Sequence, residues 1–194
     1  MLYLCLGAGA FLLFFLYELH VVSGRFRALH ACFAAGCLLL AAATAGLAAD
    51  AALQPGASPV RLVCAGVVAA VFLALLMHTL FFALPFAATY TKAGGTQVEG
   101  KPCVCRTGMY ALCRHPGVLW LAGVHLCVWL MGGASVALSA FLLFTALNVA
   151  YVTVQDCWSF PRSFADYDDY KKETPFLIPR PRSVRRCLAT LGRR

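Results

Sequence analysis

Long apolar runs separated by short polar stretches dominate the chain, and five of them are long enough to cross a bilayer as helices, which takes roughly 20 residues each. They fall at residues 1–22, 29–49, 59–84, 116–132 and 136–154. The first opens directly on Met1-Leu2-Tyr3-Leu4 without a positive stretch ahead of it, so it reads as a retained helix and not a cleaved leader. The second carries Ala34, Ala35, Gly36, Ala41, Thr44 and Ala45, small residues that let helices approach closely. The third starts at Pro59, a residue tolerated in a first turn, and Pro85 ends or kinks it. The fourth starts near Pro116 and stops at Gly132-Gly133, a turn so short that the fourth and fifth helices must be antiparallel neighbours. The pattern predicts an all-α integral membrane protein, a single domain over residues 1–194 built as a bundle of five transmembrane helices.

After the fifth run the pattern changes. Ser159 is placed to cap a helix and Pro161 falls in its first turn. Phe160, Phe164, Tyr167 and, less closely, Tyr170 then recur at helical spacing, with Asp166, Asp168, Asp169, Lys171 and Lys172 mostly on the other side. This predicts an amphipathic helix over residues 160–173, lying in the membrane interface or packed across the inner ends of the bundle. Pro175, Pro179 and Pro181 prevent it from continuing, and residues 180–194 form a basic tail.

Composition supports the membrane assignment. Hydrophobic residues make up 61% of the 194 positions and charged ones 12%, against roughly 25% charged in a soluble domain. The mean hydropathy is +0.77. The net charge of +8 is unevenly placed. Arg25 and Arg27 follow the first run, Lys92, Lys101, Arg106 and Arg114 follow the third, and the tail holds the largest group. The alternate connections carry no Lys or Arg, with Arg61 just past one of them. Basic residues favour the cytoplasmic side, so the amino terminus is expected outside and the tail in the cytoplasm. A tail of this kind suits anionic lipid, at about 1 kcal/mol per basic residue near the surface, and nucleic acid is not needed to explain it.

Candidate chemistry concentrates in Thr107-Gly108-Met109-Tyr110-Ala111-Leu112-Cys113-Arg114-His115-Pro116, at the mouth of the fourth run. Ionisable groups at the edge of a bilayer core are costly without partners or a ligand. Arg114 is either part of a site or an anchor among headgroups. Asp156 leaves the fifth helix at the end that meets Arg114 and His115, and Thr145, Asn148, Tyr151 or Val152, and Gln155 give that helix a polar face. His78, inside the third run, faces the same space or serves only helix packing. Residues Thr89 to Arg106, with Gly94-Gly95 and Gly100, form either a lid or an ordinary loop and match no phosphate-binding pattern. Of the 10 Cys, those in apolar runs act as small hydrophobes. Cys103, Cys105, Cys113 and His115 lack the paired spacing of a zinc site, so no metal is expected. No nucleophile motif is present either. A reaction achieved by holding two reactants in line, such as methyl transfer, suits these residues better.

Gly108-x-Tyr110, Arg114-His115-Pro116, a later acidic residue, Tyr167-x-x-Tyr170-Lys171 and Pro175 together resemble the isoprenylcysteine carboxyl methyltransferase and phospholipid methyltransferase superfamily. The resemblance covers about Thr107 to Pro179. It implies a membrane-embedded enzyme that binds S-adenosylmethionine on its cytoplasmic side and methylates a lipid, prenyl or other amphiphilic acceptor entering from the bilayer. It puts Arg114 and His115 in the cofactor site with Tyr110 near it, and Asp156 where the family has a glutamate. Gly108, Pro116, Gln155 and Tyr167 complete the candidate cofactor-binding set, and Arg114, His115 and Asp156 are the candidate catalytic residues. The chain departs from the family at Val118 and Trp120, which stand for Tyr and Gly, at Asp156, and at Ser163-Phe164, which stands for Phe-Gly. These departures leave room for a member of the same fold that has lost catalysis and acts as a membrane scaffold or lipid-binding subunit. A small transporter is the remaining alternative, with no internal repeat or buried charge pair in its favour.

Overall fold

The structure, a computed structural model, describes residues 1–23, 29, 31–55, 57–82, 97–98 and 100–191. Apart from one minimal antiparallel pairing, β1 (Gln97–Val98) with β2 (Lys101–Pro102), the regular structure among these residues is helical. The long helices are α1 (Leu2–Ser23), α2 (Ala31–Ala52), α3 (Pro59–Met77), α5 (Pro116–Gly132) and α6 (Ser135–Val154). The short ones are α4 (Met109–Leu112), α7 (Phe160–Ser163), α8 (Tyr167–Glu173) and α9 (Pro181–Thr190).

Among the described residues four helical runs are long and apolar enough to cross a membrane: Leu2–Ser23, Ala31–Ala52, Pro59–Phe81 and Ser135–Ser163. The fourth expected span, residues 116–132, is α5, a shorter apolar helix of 17 residues. Along α3 the large side chains Val60, Val63, Val67 and Val71 are exposed, and Ala65 is its one buried residue. An apolar helix with so little protein to bury against is suited to lipid. The chain is therefore built as an all-helical membrane protein.

Two compact units divide the chain. The first takes Met1–Leu73 and Leu121–Gln155, the second Ala74–Trp120 and Asp156–Arg194. In the first, α1 packs against α2 and α6, with Ala10, Phe11, Phe14, Ala43, Leu47, Ala140 and Phe144 buried between them. Small residues make this possible. Gly7 lies so close to the ring of Phe144 that a Cβ there would overlap it, and at Gly36 a Cβ would come within 2.6 Å of Phe14. His125, fully buried on α5, is satisfied by Thr44 Oγ1 at 3.1 Å and the carbonyl of Leu121 at 3.0 Å.

In the second unit two helices depart from regular α geometry near their ends, each for a local reason. The third helix, expected to run to residue 84, changes at His78 to a π-helical turn, His78–Phe82, and its expected end lies outside the described residues. Thr79 donates its hydroxyl back to the carbonyl of Leu75 at 2.8 Å and accepts the indole N–H of Trp120 at 3.0 Å. Back-bonding of this kind perturbs the helical ladder. The fifth helix does not stop at residue 154. It continues through a π-helical turn, Gln155–Ser159, into α7. Ser159 has helical dihedrals (φ −77°, ψ −52°) and caps nothing. Pro161 lacks an N–H and its ring would clash with the carbonyl one turn back, so a widened turn ahead of it relieves both problems.

The amphipathic helix expected over residues 160–173 is two helices. Phe164 turns extended (φ −115°, ψ 140°) and closes α7, and α8 begins at Tyr167. The break is held by chain from elsewhere: Ala165 donates its N–H to the carbonyl of Pro102 at 3.1 Å, and Asp166 accepts from the Val104 N–H at 2.8 Å. Arg106 adds two bonds to the Asp166 carboxylate, at 3.2 and 2.8 Å. The aromatic stripe nevertheless packs together, with Tyr167 and Tyr170 fully buried. The tail, expected only as a basic segment, holds α9, which starts with Pro181 in its first turn and packs on α4. Arg25, Arg27, His30, Pro85, Lys92, Gly94-Gly95, Arg193 and Arg194 lie outside the described residues.

Candidate functional site

Asp156 is the centre of the second unit. The π-helical turn presents it inward, 5% exposed. Arg114 grips it with a two-pronged guanidinium, Nε to Oδ1 at 2.7 Å and Nη2 to Oδ2 at 3.0 Å. The third guanidinium nitrogen donates to the carbonyls of Lys171 at 3.1 Å and Thr174 at 2.8 Å. Tyr167 donates its hydroxyl to Oδ1 at 2.7 Å, and His115 Nε2 stands 3.3 Å from the same oxygen. A carboxylate only accepts, so the imidazole presents an N–H there. Three residues spread over more than fifty positions of sequence thus meet on one side chain.

The chain around Arg114 and His115 is pinned as firmly as the side chains. The Arg114 N–H donates to the carbonyl of Pro175 at 2.9 Å, and the His115 N–H to that of Phe176 at 3.3 Å. The Phe176 ring meets the His115 ring edge-on at 5.3 Å and lies 5.5 Å below the Arg114 guanidinium. Phe160 stacks on His115 at 5.7 Å. His115 itself is 6% exposed. Burial, reinforced by the hydrogen bond to the Asp156 carboxylate, holds the Tyr167 phenol well above its usual range, so it stays a donor. Burial also pushes the Cys113 thiol up to about 12, which leaves it inert as a nucleophile.

The two oxygens of Asp156 are not equally occupied. Oδ1 takes Arg114, Tyr167 and His115, more than a carboxylate oxygen's lone pairs readily serve. Oδ2 takes one short bond from Arg114, and its other neighbour is the Lys171 ammonium at 3.7 Å, beyond hydrogen-bond reach. That ammonium also lies 5.6 Å over the face of the Tyr167 ring. Beside the cluster runs a groove of about 360 Å³ lined by Pro175, Phe176, Leu177, Ile178 and Arg180. This is within the range of small-molecule sites, and Phe176 belongs to both cluster and groove.

The remaining expected site residues fall around this centre. Pro116 is fully buried at the start of α5. Tyr110 is tied in through its backbone, accepting from the Tyr170 hydroxyl at 2.6 Å, while its own hydroxyl donates to the carbonyl of Thr79 at 3.2 Å. Gly108 sits at φ 58°, ψ −132°, a conformation that requires glycine, and donates its N–H to Thr190 of α9 at 2.9 Å. Trp120 lies beside Thr79, to which it donates its indole N–H at 3.0 Å. His78 is exposed. Among the described residues no group of three His, Cys, Asp or Glu is placed to hold a metal ion.

Gln155 behaves differently. Neighbouring residues on a helical turn point about 100° apart, and its side chain belongs to the first unit. It donates to Glu18 Oε1 at 2.6 Å, beside the Tyr151 hydroxyl, which donates to the same oxygen at 2.8 Å. Glu18 is 2% exposed and its Oε2 has no partner among the described residues. No motif or spacing selects it. Its signal was there: Glu18 is the one acidic residue inside the first apolar run. Phe160 is legible only as part of the aromatic stripe, Lys171 only as part of the motif and the polar side, and Phe176 carries no sequence signal, because nothing local ties them to Asp156.

Comparison with protein-family models, with curated proteins and with solved structures finds no match.

Proposed function

We propose that the chain is a membrane-embedded S-adenosylmethionine-dependent methyltransferase of the isoprenylcysteine carboxyl methyltransferase and phospholipid methyltransferase type, acting on a lipid, prenyl or other amphiphilic acceptor. The observation that carries this reading is the convergence of Arg114, His115 and Tyr167, chosen by motif and spacing, on the Asp156 carboxylate. The donor set fits a zwitterionic cation. Asp156 Oδ2 keeps capacity for an ammonium, and the Tyr167 face favours positive charge. The groove from Pro175 to Arg180 supplies room for the rest of the molecule. S-adenosylmethionine, when bound, supplies a methyl group activated by its sulfonium. Arg114 and His115 then act chiefly by position, fixing Asp156 and the Pro175-Phe176 wall. In this reading α5 crosses the membrane with the other four apolar runs, the amino terminus is outside, and the cluster and basic tail face the cytoplasm against anionic lipid.

A catalytically lapsed member of the same fold is the second reading, favoured by the saturation of Oδ1 and by Trp120 in place of glycine. Calorimetric titration of detergent-purified protein with S-adenosylmethionine tests the proposal. Binding is expected in the wild type, lost in His115→Ala and weakened in Asp156→Asn. No binding by a folded sample, or unchanged binding in both variants, overturns the site.

A further inference from the structure

Two cations surround one carboxylate. Arg114 alone neutralises Asp156 and does so with two short bonds, so Lys171 is surplus to the charge balance. Its ammonium makes no hydrogen bond to Asp156. It stands 3.7 Å from Oδ2 and 5.6 Å above the Tyr167 ring, between a carboxylate and an aromatic face. Its side chain is 30% exposed, against 7% for Asp156, so it reaches the cluster from the solvent side. The next residue cannot take its place, because Lys172 pairs with Asp169 at 2.8 Å on the exposed side of α8.

We propose that Lys171 is a tethered competitor: its ammonium stands in a cation subsite made by Asp156 Oδ2 and the Tyr167 ring, and a ligand's ammonium enters by displacing it. This rests on the methyltransferase reading and adds to it a residue that sets cofactor affinity. The exchange trades one positive charge for another, so the cluster's balance is kept when the site fills. A neutral ligand gains nothing from the exchange. Removing the Lys171 side chain does not undo the cluster, because Arg114 bonds the Lys171 backbone carbonyl, and Tyr167 reaches Asp156 independently.

The test is a titration of the full chain in detergent with three probes: S-adenosylmethionine and S-adenosylhomocysteine, which both carry an ammonium, and methylthioadenosine, which carries none. Lys171→Met is expected to bind the first two on the order of fivefold more tightly, the upper range for a partly exposed ion pair, and methylthioadenosine no differently. Lys171→Arg keeps a cation and is expected to bind like the wild type. Weaker or unchanged binding of the ammonium probes by Lys171→Met, or an equal gain for methylthioadenosine, overturns the inference while leaving the methyltransferase reading standing. No binding of any probe by either protein overturns both.

Discussion

Asp156 carries a negative charge almost wholly out of water, which is tolerable only because Arg114 meets it with a matched fork and Tyr167 adds a neutral donor. Removing one partner of such a buried pair leaves an uncompensated charge and costs about 3–5 kcal/mol. Arg114→Met is accordingly expected to lose about that much stability in unfolding measurements on detergent micelles, and an unchanged unfolding midpoint would show the pair to be incidental. Arg114, His115, Asp156 and Tyr167 were legible in the sequence because a short motif and a fixed spacing carry them. Glu18 was not, and Lys171 was legible only as part of the Tyr167-x-x-Tyr170-Lys171 motif. Their places come from the fold, with the Lys171 ammonium 3.7 Å from Asp156 Oδ2 and Glu18 Oε2 without a partner among the described residues, and no linear pattern records that.

Among the elements, the long helices were the easiest to read. Residues 116–132 and a start at 136 were expected, and Pro116–Gly132 and a start at Ser135 are found, because Gly132-Gly133 marks the turn between them. The expectation failed where a side chain from a distant element decides the outcome. Thr79 is held by Trp120, and the break at Phe164 to Asp166 is held by Pro102, Val104 and Arg106. Those contacts are separated by dozens of residues and leave no periodic trace. The placement of basic residues between helices makes the topology testable. A reporter active only in the cytoplasm, fused after Arg194, is expected to be active, and the same reporter fused ahead of Met1 inactive. The reverse pattern would contradict the orientation proposed for the cluster.

For the whole molecule, apolar helices with exposed valines and leucines need a bilayer around them. The second unit gathers the polar chemistry, with Asp156 at its centre and a groove along Pro175 to Arg180. The acceptor in the proposed reaction is not legible in the sequence, because apolar surface suits any acyl or prenyl chain alike. Methyl transfer itself separates an active enzyme from a lapsed one most directly. Purified protein reconstituted in vesicles of the host's own lipid extract, given S-adenosylmethionine labelled in its methyl group, is expected to move label into the organic-soluble fraction, and His115→Ala is expected to stop it. Cofactor binding without any transfer of label, by folded protein in those vesicles, would contradict the enzymatic account and leave the scaffold.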